Sequence, residues 1–239
     1  MPPASVVPRR PLLTTAAWTV PLVVTGAAAP LAAASCATVA IDYPNPSGVG
    51  GNGTWATNVV AGSSNTATQG QATFTLTGQS TPAFTATATY FGVNQHNGNL
   101  FRIMENQVGG LGQGNNAPRL QMEGGVGTAN RVEFTYTWPS SVTNLTFTIT
   151  DIDFGDKERV FISPAPTSTS KPASVSGSGT STDPWQGPNP DIDNAVSGNG
   201  NVTVTYAGPL SQFTVTMYNG SSPVQNGVIY VAGMSYNPC

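Results

Sequence analysis

Charged side chains are scarce in this chain of 239 residues: Asp, Glu, Lys and Arg make up 8% of it, against about a quarter in typical soluble domains. The formal net charge is -3 at pH 7, and it becomes more negative if a segment containing Arg9 and Arg10 is removed. Because phosphate recognition needs clustered Lys and Arg, this composition argues against a nucleic-acid partner. Threonine, serine, asparagine and glycine dominate instead, as is common in extracellular β-proteins.

Histidine occurs once, as His96, so any serine or cysteine triad would have to use it. The sequence contains no Gly-x-Ser-x-Gly elbow, and one histidine is a poor basis for a zinc site. We expect His96 to lie in an exposed loop. A glycosidase would need two carboxylates facing one cleft, and the spacing of Glu105, Glu123 and Glu133 selects no pair.

Cysteine occurs only twice, as Cys36 and Cys239. In an oxidising compartment, a pair that brackets most of the chain indicates one disulfide, which would stabilise the fold by roughly 3–5 kcal/mol through its effect on the unfolded state. The alternative is that Cys36 is a lipidated N-terminus, because Ala33-Ala34-Ser35-Cys36 loosely matches a lipoprotein cleavage box. Lipidation would leave Cys239 as a single exported thiol.

The first 34 residues have the three parts of a secretory signal. Arg9 and Arg10 precede an uncharged stretch over 11–34, which ends in small residues. We predict cleavage after Ala34, leaving a mature chain over 35–239 with no membrane span. A retained membrane anchor is the alternative, and the prolines within the stretch oppose a spanning helix.

The run Pro8-Arg9-Arg10-Pro11-Leu12-Leu13 resembles the twin-arginine signals of secreted proteins from Gram-positive bacteria. That resemblance implies export in a folded state. It also implies a secreted or cell-surface location, where disulfides form and persist.

Alternation of apolar or small residues with polar ones predicts strands along the mature chain, because successive side chains of a strand point to opposite faces. The segments are 71–77, 84–90, 131–138, 145–150, 159–163, 202–206, 213–218 and 228–236. Pro139-Ser140-Ser141 is a loop signal, so we expect 131–138 and 145–150 to pair with each other as antiparallel strands. No segment after the signal has a convincing helical period.

Short strands separated by Gly, Pro, Asn and Ser predict an all-β fold, specifically a two-sheet antiparallel β-sandwich of jelly-roll type. The stretch 167–199 lacks a clear strand pattern. We interpret it as a long loop within one domain over 35–239. The alternative is a linker, but the strands after it are too few for a separate domain.

The segment 202–219, followed by Gly227-Val228-Ile229-Tyr230-Val231, resembles the closing strands of secreted bacterial jelly-roll domains. The segment 145–162, with its Thr-Asp-Ile-Asp step, resembles the middle of the same domains. Such domains occur in cell-surface adhesins and carbohydrate-binding modules. The resemblance therefore implies a class of roles, and it carries over no catalytic or binding residue.

Acidic residues concentrate after one strong strand, at Asp151, Asp153 and Asp156. Oxygen ligands at alternate positions, with Gly155 permitting a tight turn, are typical of a Ca²⁺ loop. The spacing is not that of an EF-hand. The alternative is a solvated turn whose acids pair with Lys157 and Arg159.

Two tryptophans, Trp55 and Trp185, lie in polar segments of the sequence. Aromatic rings beside Asn, Gln and Asp are typical of sugar-binding sites, so both are candidate ligand-binding residues. The alternative is that each ring closes one end of the sandwich. Strand parity predicts that Trp138, by contrast, belongs to the core.

Taken together, these patterns favour a secreted or cell-surface module that binds glycan or a surface protein, stabilised by calcium if the acidic loop is a metal site, with no chemistry of its own. The alternative function is a secreted carbohydrate-active hydrolase on a β-sandwich fold. A third hypothesis is a structural component of the cell envelope.

Overall fold

The computed structural model describes residues 36–59, 67–103, 107–153, 157–188, 193–223 and 226–238. The described residues belong to one compact unit, Cys36–Cys239. They form strands, turns and irregular segments without any helix, so the all-β prediction is confirmed for this part of the chain. Accordingly, the described residues include no helix that could cross a membrane. The predicted signal, Glu105, Asp156 and Cys239 lie outside the described residues.

The named strands of the unit number eleven. They are β1 (Val39–Ala40), β2 (Gly53–Val59), β3 (Ala67–Leu76), β4 (Phe84–Tyr90), β5 (Arg119–Glu123), β6 (Arg131–Thr150), β7 (Glu158–Ser163), β8 (Ser168–Ser170), β9 (Val202–Tyr206), β10 (Leu210–Asn219) and β11 (Asn226–Asn237). Every predicted strand segment falls on one of them. Strands β1, β2, β5 and β8 were not predicted, because they are short or lack strict alternation.

Strand β6 corrects one prediction. Its 20 residues run without interruption through Pro139-Ser140-Ser141, so 131–138 and 145–150 are not an antiparallel pair. The first half already has β4 and β10 as neighbours, and the second half has β9 and β11. Each half therefore has both edges occupied. Asn144 has a positive φ of 50°, and this local irregularity accompanies the passage from one set of partners to the other.

Two antiparallel ladders share β6. In the first, the order is β2, β3, β4, the first half of β6, β10 and β7. In the second, the order is β8, β9, the second half of β6 and β11, and β11 pairs on its other side with both β1 and β5. Hydrogen bonding is thus continuous through one antiparallel, curled sheet.

Alternating burial along the strands builds the core. In β4 every second residue is buried, from Phe84 to Tyr90. Rings from both ladders meet there: Phe147 in the second half of β6 stacks on Phe213 of β10, with centroids 4.4 Å apart. The outward positions carry threonines, some of which bond across strands, as between the hydroxyls of Thr135 and Thr214 (2.9 Å). The apolar and threonine positions of the sequence therefore separate into the two sides of the sheet.

Candidate functional site

Trp185 lies inside the protein, although its sequence context is polar. The side chain has no exposed surface. Its backbone pairs with Val160 of β7, since Trp185 N donates to Val160 O (2.7 Å) and Val160 N donates to Trp185 O (3.1 Å). Gly179 lies directly against the ring, because a Cβ at that position would be 2.2 Å from an indole carbon. The enclosed ring offers no exposed face in this structure, and its backbone continues the first ladder beside β7.

Trp55 lies on β2 and is only half-buried. Its indole Nε1 donates to Phe101 O at 2.7 Å. The ring also makes edge-on contacts with Tyr43 at 5.3 Å and with Phe101 at 6.0 Å between centroids. These contacts fix the position of the Trp55 ring, and the rest of its surface faces solvent.

A cleft opens beside Trp55, with a cavity volume of about 200 Å³. Its walls are the loop 44–48, Trp55 and Thr57 of β2, and the segment 101–103. The volume is below the 300–1,000 Å³ of typical drug-sized pockets. The cleft therefore suits a single side chain or one ring of a larger ligand.

Backbone contacts fix the wall formed by 101–103. Phe101 N donates to Arg119 O (2.8 Å), and Arg119 N donates to Arg102 O (3.0 Å). Ile103 forms a bridge with Pro118. The segment is thus held against the start of β5, and Phe101 is fully buried beneath it.

The opposite wall is a turn organised by Asn45. Its side-chain Oδ1 accepts hydrogen bonds from Ser47 N (2.9 Å) and Val49 N (3.0 Å). Asn52, directly before β2, is tied to the end of β1, because its Nδ2 donates to Ala40 O (2.6 Å). Both walls are therefore formed before any ligand arrives.

Arg102 is the charged residue at the rim of the cleft. It is exposed, and its guanidinium donates to Asn99 Oδ1 (3.1 Å). Within the described part of the chain it forms no salt bridge, whereas Arg131 pairs with Glu133 at 2.7 Å. The rim of the cleft therefore carries a positive charge that a ligand could approach.

The acidic segment is differently arranged from a Ca²⁺ loop. Asp153 is buried, and Asp151 is half-buried with a positive φ of 69°. Glu158, which we did not predict as a site residue, is fully buried and accepts hydrogen bonds from Val228 N (2.6 Å) and Asp153 N (3.4 Å). Its carboxylate thus joins this segment to β11. No group of at least three potential metal-ligating side chains occurs among the described residues, and with Asp156 outside them the calcium site stays a prediction.

His96 corrects a second expectation. The residue lies in a loop, as expected, but its side chain is buried, at 7% exposure. Its ring packs against Tyr90 at 5.6 Å, and its Nδ1 accepts a hydrogen bond from Gly98 N (3.0 Å). Nothing in the surrounding sequence is apolar enough to signal this burial.

Burial also governs the pKa values of three core tyrosines, Tyr43, Tyr90 and Tyr136. It raises the pKa of the Tyr43 phenol well above its ordinary value, with further upward contributions from Tyr136 and Tyr236. Burial likewise raises the pKa values of Tyr90 and Tyr136. These phenols are therefore neutral packing groups, unsuited to acid–base work near neutral pH, and Tyr43 is the one of them whose ring contacts Trp55.

Sequence reasoning identified Trp55 but missed the residues around it. Phe101 and Arg102 are at least 46 residues from Trp55 in the sequence, and the observed link between the two segments is the hydrogen bond from Trp55 Nε1 to Phe101 O. Comparison with protein-family models, curated proteins and solved structures returns no match for this chain. The site must therefore be interpreted from its own chemistry.

Proposed function

We propose that this chain is an exported binding module for a glycan or a protein, that it has no chemistry of its own, and that it takes its ligand at the Trp55 cleft. The observation that carries the proposal is the partial exposure of Trp55 in a fixed cleft. Aromatic side chains provide a large contact area with little loss of conformational entropy. Preformed walls further reduce the ordering cost of binding.

The test is a binding screen with the full chain, purified after export. A glycan array and a displayed library of random octapeptides are probed with the wild type, and the hits are probed again with Trp55→Ala and Phe161→Ala. Phe161 is a half-buried aromatic on β7, at the opposite end of the first ladder, so it is a matched control. We expect hits that Trp55→Ala loses and Phe161→Ala keeps. Equal binding by both variants, or no hits in either screen, would contradict the proposal.

Export rests on the N-terminal signal and on the predicted disulfide. Cys36 is not a free thiol, and the register of β1 on β11 supports Cys239 as its partner. That register pairs Val39 with Tyr236, and it continues outward with Thr38 Oγ1 donating to Asn237 Oδ1 at 2.9 Å. The described N-terminal and C-terminal ends therefore run side by side, and Cys239 itself lies outside the described residues.

The finer fold that we propose is a two-sheet sandwich of jelly-roll type. The two ladders linked by β6 supply the two layers, and their rings interdigitate. Besides the stacking of Phe147 on Phe213, Trp138 of β6 meets Tyr236 of β11 edge-on at 5.7 Å. Interdigitating inner faces are typical of packed sheets.

A further inference from the structure

The two outer edges of the first ladder differ in how they are covered. At the β7 edge, the segment 176–186 supplies backbone partners: Ile162 N donates to Gly179 O (3.1 Å), and Val160 exchanges hydrogen bonds with Trp185. An exposed strand edge invites pairing with another chain, and coverage of this kind prevents it. The β7 edge is therefore closed by the protein's own backbone.

The β2 edge lacks such a cover. Among the residues that the structure describes, β2 pairs only with β3. Ala56, Thr57 and Asn58 are all exposed, which shows that solvent reaches both faces of this part of the strand. The strand Gly53–Val59 also contains no proline and no charge, the usual features that protect an edge. It is therefore open to strand addition.

The register determines which backbone groups are available. Thr77 N donates to Asn52 O (3.0 Å), and these two residues are directly opposed in the β2–β3 register. Because hydrogen-bonded and non-bonded pairs alternate in an antiparallel ladder, Thr54, Ala56 and Asn58 bond to β3. The N–H and C=O groups of Trp55 and Thr57 then point away from β3, toward the open edge.

The Trp55 cleft lies beside these outward groups. Trp55 and Thr57 share one face of β2, and both line the cleft. A residue added opposite Thr57 would point its side chain to the same face, because opposed residues of paired strands lie on the same side of a sheet. One side chain of an added strand would therefore enter the cleft, against Phe101 and Ile103, with Arg102 at the rim.

We propose that the ligand of the Trp55 cleft is an extended polypeptide segment that adds to β2 as a new edge strand. This rests on the proposed function, because it names the ligand class of the same cleft. An apolar side chain fills the cleft, an acidic residue two positions along the added strand, and so on the same face, pairs with Arg102, and backbone hydrogen bonds supply the rest of the affinity. A polypeptide is favoured over a glycan because Tyr43 and Phe101 already contact the Trp55 ring, whereas the outward backbone groups of Trp55 and Thr57 have no partner among the residues that the structure describes.

The probe is a capped octapeptide of alternating threonine and valine, with one central leucine and an aspartate two residues after it on the same face, titrated by calorimetry against the full chain. Two N-methylated forms of the peptide are compared. One carries methyl groups on the amides that point to one edge of the extended peptide, and the other on the amides that point to the opposite edge. Pairing with β2 uses the amides of one edge only. We expect one methylated form to bind at least about ten-fold more weakly and the other to bind as the parent peptide does. Equal binding by the two forms, or no binding by the parent, overturns the inference.

Two variants locate the site. Thr57→Pro removes an outward N–H while sparing the bonds of β2 to β3, and we expect roughly five- to ten-fold weaker peptide binding with an unchanged melting temperature. If this variant fails to fold, Arg102→Glu serves instead: it should weaken the parent peptide and be rescued when lysine replaces the peptide's aspartate. Unchanged binding by Arg102→Glu would overturn the inference.

The outcomes separate the inference from the proposed function. Glycan hits lost in Trp55→Ala, together with no peptide binding, would overturn the inference and leave the proposed function intact. No ligand of either class would overturn both. A concentration-dependent dimer that Thr57→Pro abolishes would assign the β2 edge to a second copy of this chain, which also overturns the inference.

Discussion

The Trp55 and Trp185 regions look alike in sequence, since each has one tryptophan among polar and glycine residues, but they differ in the fold. Trp185 is part of the segment 176–186 that covers the β7 edge, and its ring is enclosed beneath Gly179, whereas Trp55 remains half-exposed beside the open β2 edge. The difference comes from long-range backbone pairing. A tryptophan in a polar segment is therefore a core residue or a ligand residue according to whether the chain returns to cover it.

The largest expected effect is on stability, from removing the enclosed ring. Trp185→Ala should lower the free energy of unfolding by about 3–5 kcal/mol, because the cavity it leaves is fully enclosed. Trp55→Ala should cost only about 1–2 kcal/mol, because its ring is already partly hydrated. Urea denaturation of the two variants measures both values. Equal losses would show that the two regions are packed alike and would remove the contrast.

A smaller effect should come from the glycine beneath Trp185. Gly179 has a φ of +78°, and a Cβ there would be 2.2 Å from the ring, so Gly179→Ala combines backbone strain with a clash. We expect a loss of about 2–4 kcal/mol. Gly78 has a similar φ of +82° with nothing within 4 Å of the added Cβ, so Gly78→Ala should cost only about 1 kcal/mol. The comparison, made by thermal melts, fails if both variants lose the same amount.

The smallest effect concerns the tyrosine behind Trp55. Burial raises the pKa of Tyr43 above its ordinary value, so the folded state keeps a proton that the unfolded state loses above about pH 10. Its contribution to stability is therefore full below about pH 10 and falls as the pH rises further, by up to about 1.4 kcal/mol per pH unit.

Tyr43→Phe isolates this contribution. The Tyr43 hydroxyl has no hydrogen-bond partner among the described residues, so removing it should leave stability at neutral pH nearly unchanged. Urea melts from about pH 8 to about pH 11 should then show a shallower alkaline decline than the wild type. If the free energy of unfolding of the variant declined as steeply as that of the wild type, the Tyr43 phenol would have an ordinary pKa and would be hydrated, as the exposed part of Trp55 is.

Local periodicity accounts for much of the fold. Segments such as β4 and β9 were predicted to the residue, because buried and outward positions alternate without a break. The failure at β6 has a different cause. Proline and serine at 139–141 resemble a loop, but four neighbouring strands, all distant in sequence, keep both halves extended.

The candidate site was less predictable than the fold. Trp55 is visible in the sequence as an unusual residue, but its contacts with Phe101, a hydrogen bond from Nε1 to the carbonyl and an edge-on ring contact, join segments that no local pattern links. The burial of His96 and Glu158 was likewise hidden, because polar residues are buried only where specific distant partners satisfy them. The site and both burials depend on contacts between distant segments, which no short stretch of the sequence reveals.

The sharing of β6 by both ladders has a thermodynamic consequence. Each half of β6 is hydrogen-bonded on both sides. One ladder therefore cannot unfold without breaking hydrogen bonds of the strand that also holds the other ladder together. Loss of either ladder strips partners from the middle of the same strand, so the free energy of opening one is tied to the other. The described part of the chain should therefore unfold as a single cooperative unit, and the slowest-exchanging amides should lie along β6 in both halves.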